Sequence, residues 1–321
     1  MPESPTLADV HAAAGVIAGR VHRTPMLTSA TLAERCGVPV WLKAELFQRT
    51  GSFKPRGAFN RVRALTAEER DRGAITISAG NHAQALAVAA RDEGVDALVF
   101  MPADASPAKV AATRGYGATV DLESADTMEA LERMRAVAAE SGRVIVHPYD
   151  DPLVVAGQGT VGLEIAEDAP DAGTVVVPIG GGGLIAGIAT AVKGLRADAR
   201  VIGVEPELSA AMRTAMDTGG PIPAVPGPTI ADALRSPVAG TIALEVCSRL
   251  VDDVVLVSDE EIREGMRFLY ERAKLACEPG AAVGVGALLA GRLDVAGSSG
   301  VVFVISGGNV APQLAAEILA G

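Results

Sequence analysis

The chain has 321 residues, 49% hydrophobic and 21% charged, with 39 acidic against 28 basic residues and a formal charge of −11. That is enough apolar material for two buried cores, and a negative balance with scattered Lys and Arg argues against nucleic acid as a partner. No run approaches the ~18 apolar residues of a membrane span, and "MPESPTLADV" lacks the basic start and apolar core of an export signal, so the expectation is a cytoplasmic protein with no membrane partner.

Short apolar runs alternate with helical periodicity along almost the whole length, the pattern of a parallel α/β architecture. The apolar run "VWLKAELF" leads into "RTGSFKPRGAF" at 49–59. Ser52 can cap a helix there, and Pro55 suits a first turn. The residue before a proline is pushed out of the α region, so Lys54 is expected to project from the junction. A lysine in a partly dry cleft loses proton affinity and becomes a nucleophile. The alternative, a solvated surface cation, loses ground because Phe47, Phe53 and Phe59 are expected to surround the site.

Strand "AITI" (74–77) runs into Ser78, Ala79, Gly80, Asn81 and His82, and then into the helix "HAQALAVAARDEG". Backbone N–H groups at such a helix start suit a carboxylate. Asn81 as a plain N-cap and His82 as a hydrogen-bonded structural histidine are the bland readings. Strands follow at "DALVFM" (96–101), "GATVDL" (117–122) and "RVIVH" (143–147), with the helix "TMEALERMRAVAAESG" before the last of them.

Strand "TVVVPI" (174–179) opens onto Gly180, Gly181, Gly182, Gly183 and Leu184, then the apolar helix "GLIAGIATAVKGL". Four glycines between a strand and a helix let backbone amides wrap a phosphate. The same stretch holds Gly181, Gly183 and Ala186 in G-x-G-x-x-A spacing, and Glu205 ends the next strand, "RVIGVE" (200–205). That supports a rival, a dinucleotide-dependent oxidoreductase.

"GGPIPAVPGPT" (219–229) reads as a loop. After strand "DVVLV" (253–257), Ser258 and Glu261 form a capping-box pattern at the head of a helix. Strand "VVFVI" (301–305) ends at Ser306 of "SGGN", where a hydroxyl can meet a ring heteroatom or merely make a turn. Cys36, Cys247 and Cys277 are far apart, without metal-site spacing, and read as reduced, mostly buried thiols. A phosphate anchor, an amine for an aldehyde, a carboxylate pocket and a ring partner together ask for pyridoxal 5'-phosphate.

"QRTGSFKPRGAFN", "SAGNHAQA", "GGGGL" and "SGGN", in this order, resemble the fold-type II pyridoxal-phosphate enzymes, specifically the threonine and serine dehydratase branch, and the similarity runs from about residue 24 to 309. The resemblance implies the two-domain architecture of the tryptophan synthase beta type: a large domain from 1–51 and 150–321, a small domain at 52–149, each an open, mostly parallel sheet flanked by helices. It implies that Lys54 forms the Schiff base with the cofactor, that the amides of Gly180 to Leu184 hold its phosphate, that Asn81 contacts the ring hydroxyl and that Ser306 faces the pyridine nitrogen. Ser78, Ala79, Gly80, Asn81 and His82 are expected to frame the substrate carboxylate.

The sulfur-transferring branches and the threonine synthases favour acid after the lysine, whereas Pro55-Arg56-Gly57 and an all-glycine loop favour the dehydratases. The expected reaction is loss of water and ammonia from a small β-hydroxy amino acid, L-threonine first and L-serine second, with 3-hydroxyaspartate or a β-aryl serine as alternatives. A non-catalytic amino-acid sensor using the same cleft is a third reading. Serine-racemising relatives carry a second serine where this chain has Ala79, so little racemase activity is expected. Those relatives also bind a divalent cation near "EPELSAAMR". Here Glu205 is present, but Ala211 stands where a second carboxylate would help, so a weaker or monovalent cation is the expectation. The resemblance also implies a homodimer. The chain runs only about twelve residues past "SGGN", from which end-product feedback by an appended domain is expected to be missing.

Overall fold

The computed structural model describes residues 3–223 and 225–321. Ten strands form among them: β1 Met26–Thr28, β2 Val40–Lys43, β3 Ala74–Ile77, β4 Ala97–Pro102, β5 Thr119–Ser124, β6 Val144–Ile145, β7 Thr174–Pro178, β8 Arg200–Pro206, β9 Asp253–Val257 and β10 Val301–Val304. They make two sheets. One is four-stranded in the order β5-β4-β3-β6, the other six-stranded in the order β1-β2-β10-β7-β8-β9. Every pairing of these strands is parallel except that of β1 with β2.

The sequence dictates the central strands directly. "TVVVP" in β7 and "VVFV" in β10 are buried at every position, as expected of strands covered by helices on both faces. The eight expected strands form with ends shifted by up to two residues, and the "VWLKAELF" run supplies β2. The helix with Ser258 and Glu261 starts with the full reciprocal cap, over Asp259–Ala273. Residues 219–223 and 225–229 hold no regular element, and Ala224 of that expected loop lies outside the described residues. Cys247 and Cys277 are buried and Cys36 is half-buried, all three free.

The helix Pro152–Asp168 acts as a spine. It packs along both the Pro55–Arg63 helix and the Gly183–Leu195 helix, the two elements that carry the lysine and follow the glycine loop. Its approach to the first is close enough to require glycine: a Cβ at Gly157 would lie 2.5 Å from the Arg56 carbonyl oxygen, and one at Gly57 would lie 2.7 Å from the Val154 carbonyl oxygen. Asp151 caps the spine by accepting from the N–H groups of Leu153 and Val154, and Arg61 donates to the same carboxylate.

Candidate active site

Lys54 sits at the head of the Pro55–Arg63 helix, as expected, but not with the backbone that the following proline suggests. Its φ and ψ are −53° and −34°, within the right-handed helical region, and it is the N-cap residue itself. Pro55 occupies the first helical position, where its ring demands nothing of a missing N–H and the preceding residue already turns with the helix. Ser52 is therefore not the cap. It pairs with Gly307 in an isolated antiparallel bridge, and its buried hydroxyl lacks a hydrogen-bond partner among the described residues. Nor does the strand feed the helix directly: two short 3₁₀ turns, Glu45–Phe47 and Arg49–Gly51, separate β2 from Lys54.

The Lys54 side chain is half-buried, and its amine donates to the Pro148 carbonyl oxygen at 2.8 Å. Of the three phenylalanines expected around it, only Phe53 faces it, with the amine 5.1 Å from the ring centroid. Phe47 is half exposed, and the fully buried Phe59 ring receives the Arg49 guanidinium instead. Burial pulls the Lys54 amine down to about 8, against the opposing pull of Glu278. About a tenth of the amine is thus free at pH 7.

The asparagine loop lies at the carboxyl end of β3. Ser78, Ala79, Gly80 and Asn81 are all half-buried, and the Ser78 hydroxyl accepts from the Gly80 N–H at 3.2 Å. Gly80, rather than Asn81, is the N-cap of the helix Asn81–Asp92. The Asn81 amide is held at both ends: Nδ2 donates to Glu278 at 2.9 and 3.2 Å, and Oδ1 accepts from Asn309 Nδ2 at 2.8 Å, which leaves a second N–H and a second lone pair for a ligand. His82 is the structural histidine of the bland reading in one respect, since Nε2 meets the Val146 carbonyl oxygen at 2.9 Å. Burial, with Lys54 and His147 adding to it, pulls its pKa down to about 3, so the ring is neutral. Its buried Nδ1 has no partner among the described residues.

The glycine loop heads the helix Gly183–Leu195. Gly182 is in the left-handed region at φ +94° and is its N-cap, with no side chain capping the first turn. The backbone donors of that turn are therefore left for a ligand. Not every glycine is there for a ligand. A Cβ on Gly181 would penetrate the Tyr149 ring, and one on Gly183 would meet the Tyr149 backbone. Tyr149 belongs to the segment 147–150, which ties the amine to the loop. Pro148 accepts from Lys54, Tyr149 lies under the glycines, and the Asp150 carboxylate accepts from the Ile242 N–H at 2.9 Å. Ser306, buried at the end of β10, accepts through its carbonyl oxygen from the Phe53 N–H at 3.1 Å, which places the fourth motif beside the first.

Glu205 stands apart from this cluster of contacts. It is fully buried, and its two carboxylate oxygens accept from the N–H groups of Met212 and Arg213 at 2.9 and 2.8 Å. Burial raises its pKa to about 7 against those two hydrogen bonds. It caps the helix Ala211–Thr218 and so is not free for the ribose contact that the oxidoreductase reading needs. Among the described residues no three His, Cys, Asp or Glu side chains gather as a metal site.

The sequence reading missed Glu278, Asn309, Pro148 and Tyr149. Two signals were present: a lone glutamate in "CEPGAA" before an apolar helix, and "HPYDD" immediately after a strand.

A family profile described as "Pyridoxal-phosphate dependent enzyme" matches residues 17–307. An L-threonine ammonia-lyase of Thermotoga maritima is 44% identical over 305 residues, which is 95% of this chain and 76% of that protein. The solved structure of a threonine deaminase from "T.th." superposes with a TM-score of 0.89 at 41% identity, covering 96% of this chain and 99% of that one. Maize serine racemase superposes with a TM-score of 0.93 at 35% identity, covering 99% and 97%.

Proposed function

This chain belongs to the family of pyridoxal-phosphate-dependent enzymes, and from that membership we propose that it is a carbon-oxygen lyase converting L-threonine to 2-oxobutyrate and ammonia, with L-serine, giving pyruvate, as its second substrate. The observation that carries the reading is the enclosed Lys54 amine, joined through 147–150 to an uncapped glycine-headed helix, in a chain 44% identical to an L-threonine ammonia-lyase.

The residues present fit the cofactor. Free backbone donors from Gly180 to Leu184 would take its phosphate, Lys54 its aldehyde carbon, Asn81 its ring hydroxyl and Ser306 its ring nitrogen. Bound there, pyridoxal phosphate supplies an aldehyde that takes up an amino group and a conjugated ring that accepts the electron pair left when Cα loses its proton. The protein's part is positional and acid–base. Ser78, Ala79, Gly80, Asn81 and His82 frame the substrate carboxylate, chiefly through N–H groups at the start of a helix. The Lys54 amine, kept partly neutral by burial, takes the Cα proton. Ser306 would offer the ring nitrogen of a bound cofactor a hydroxyl rather than a carboxylate, a partner that does not hold that nitrogen protonated and so suits loss of the β-hydroxyl. Ala79 carries no group to move a proton on the opposite face of Cα, so D-serine formation from L-serine is expected to be negligible.

The two sheets support dividing the chain at 52–149, with residues 1–51 and 150–321 forming the larger body. Assembly as a homodimer is the reading that the family resemblance supports, and the cytoplasm the one that the composition of the first ten residues supports. Among the described residues no helix is long and apolar enough to cross a membrane.

The test is a visible spectrum of the purified protein and of Lys54→Ala, followed by 2-oxo acid release from L-threonine and L-serine. A yellow band in the wild type, lost in the variant, with 2-oxobutyrate from threonine is the expected result. A colourless protein that ignores added pyridoxal phosphate would overturn the reading.

A further inference from the structure

Glu278 is 3% exposed and lies between Cys277 and the helix Pro279–Leu289, of which it is the N-cap residue without a side-chain cap bond. A buried carboxylate of this kind is ordinarily held by a basic side chain. Here the hydrogen-bond partners are the Asn81 amide and the Asn309 backbone N–H, and the other end of the Asn81 amide is held by the Asn309 side chain, which in turn donates to the Thr50 carbonyl oxygen at 2.7 Å. The backbone is fixed as well, since the Glu278 N–H donates to the Gly307 carbonyl oxygen at 3.0 Å and a Cβ on Gly307 would collide with the carboxylate.

We propose that Glu278 is a positioning residue of this site: its carboxyl sets which way the Asn81 amide is turned, and its negative charge, when present, opposes burial and holds Lys54 toward the ammonium. The proposal rests on the reading of Lys54 as the cofactor lysine. An asparagine amide can be flipped at little cost unless its partners differ in kind. Here the Glu278 carboxyl oxygens accept on one side, while on the other the Asn309 amide, held by the Thr50 carbonyl oxygen, donates, and the two together leave one orientation.

The charged surroundings support the second half. Burial pushes Glu278 up to about 8, Asp232 adds to that, and Asn81 and Lys109 work against it. Lys109 is itself engaged with Asp232 at 2.5 Å. Among the described residues Lys54 acts on the imidazoles of His82 and His147, both pulled down by burial and neutral near pH 7, while burial keeps the Cys277 thiol protonated, at about 12. Glu278 also stands at the lysine's own turn: Ser52 pairs with Gly307, and a Cβ on Gly307 would lie 2.5 Å from Glu278 Oε1 and 3.2 Å from the Ser52 Cβ, so the Glu278 charge acts on Lys54 across that contact.

The test reads Lys54 in the protein stripped of cofactor, by competitive acetylation across pH with mass-spectrometric mapping and exposed Lys274 as internal standard. Glu278→Gln keeps an acceptor for Asn81 but removes the charge. We expect the Lys54 labelling midpoint to fall by about one pH unit, a tenfold loss of proton affinity, with Lys274 unmoved. Asp232→Asn changes an exposed side chain and should move Lys54 the other way, because Glu278 then ionises at lower pH and Lys109 is released to help it. Glu278→Leu removes the acceptor and should weaken pyridoxal phosphate uptake roughly tenfold relative to Glu278→Gln. A Lys54 midpoint unmoved in Glu278→Gln, or in Asp232→Asn should the first not fold, overturns the counter-charge. Equal cofactor uptake by the Leu and Gln variants overturns the orientation of Asn81. A wild type that forms no yellow band while its Lys54 midpoint still responds to Glu278 would sink the lyase reading and leave the pair standing.

Discussion

Two buried charged clusters flank Lys54, and they are built on opposite plans. On the helix side, Arg56 is fully buried and saturated. Its guanidinium donates to both oxygens of Glu45 and both oxygens of Glu164, and to the Thr160 hydroxyl, while Lys43 donates to Glu164 at 2.5 Å and to the Thr24 carbonyl oxygen. Two cations face two carboxylates across β2, the first 3₁₀ turn, the lysine helix and the spine. Burial works against the Glu164 charge, yet the hydrogen bond and charge of Arg56, with Lys43, hold its carboxyl below the usual range. On the cleft side, Glu278 is also buried but met only by amides, and its pKa is pushed up. The balanced cluster sets where the lysine stands. The unbalanced one sets what state it is in. A closed ion network has no reason to change protonation near pH 7, whereas an unpaired carboxylate beside an unpaired amine does.

The largest effect is expected from breaking the balanced side. Arg56→Met fills the space but strands Glu45 and Glu164 opposite Lys43 alone, and removing one partner of a buried network costs about 3–5 kcal/mol. The urea midpoint of the cofactor-free protein should fall accordingly. Arg56→Lys should recover little, since one ammonium cannot reproduce the two-carboxylate fork. A change under about 1 kcal/mol would show that the network is not what anchors the lysine helix.

A smaller, pH-shaped effect is expected on the unbalanced side. A carboxyl whose pKa is raised from 4.5 to about 8 by folding contributes stability that is fully present below pH 4.5 and is lost as pH rises through 8. Lys54, lowered from 10.5 to about 8, has the opposite slope at higher pH. Glu278→Gln removes the first contribution and, by lowering the Lys54 midpoint, extends the second to lower pH, so both changes favour the variant as pH rises. The variant should therefore gain on the wild type between about pH 5 and 8, read as the difference in urea midpoints of the two cofactor-free proteins. A constant difference across that window would show that Glu278 stays ionised in the fold.

Much of this was legible before any coordinates, for reasons that name themselves. "TVVVP" and "VVFV" can only be buried strands, and three of the four glycine or polar junctions directly follow strands, while two 3₁₀ turns lie between β2 and Lys54. Lys54, Asn81 and the glycine loop could be marked for the same reason. What was not legible is pairing over distance. Asn81 and Glu278 are 197 positions apart, and Asn309 is 228 from Asn81. Local rules also gave way to tertiary packing at Lys54, which turns with its helix despite Pro55. Gly181 shows a composition signal with two causes: a glycine counted toward a phosphate is also required by the Tyr149 ring.

The smallest expected effect separates the two plans most cleanly. Thr160 is buried, accepts from Arg56 Nη1 at 3.1 Å and donates to the Gly157 carbonyl oxygen at 2.7 Å. Thr160→Val keeps the shape and leaves every ion pair of the cluster in place, so it removes one neutral partner from a guanidinium that retains both carboxylates. The cost should be that of one unsatisfied buried N–H, about 1–2 kcal/mol in the urea midpoint. Because no charge changes, the Lys54 acetylation midpoint should stay where it is, while Glu278→Gln moves that midpoint with its stability difference depending on pH. If Thr160→Val shifts the Lys54 midpoint as far as Glu278→Gln does, position and protonation are not separable, because a slight movement of the lysine helix alone then changes the burial of its amine.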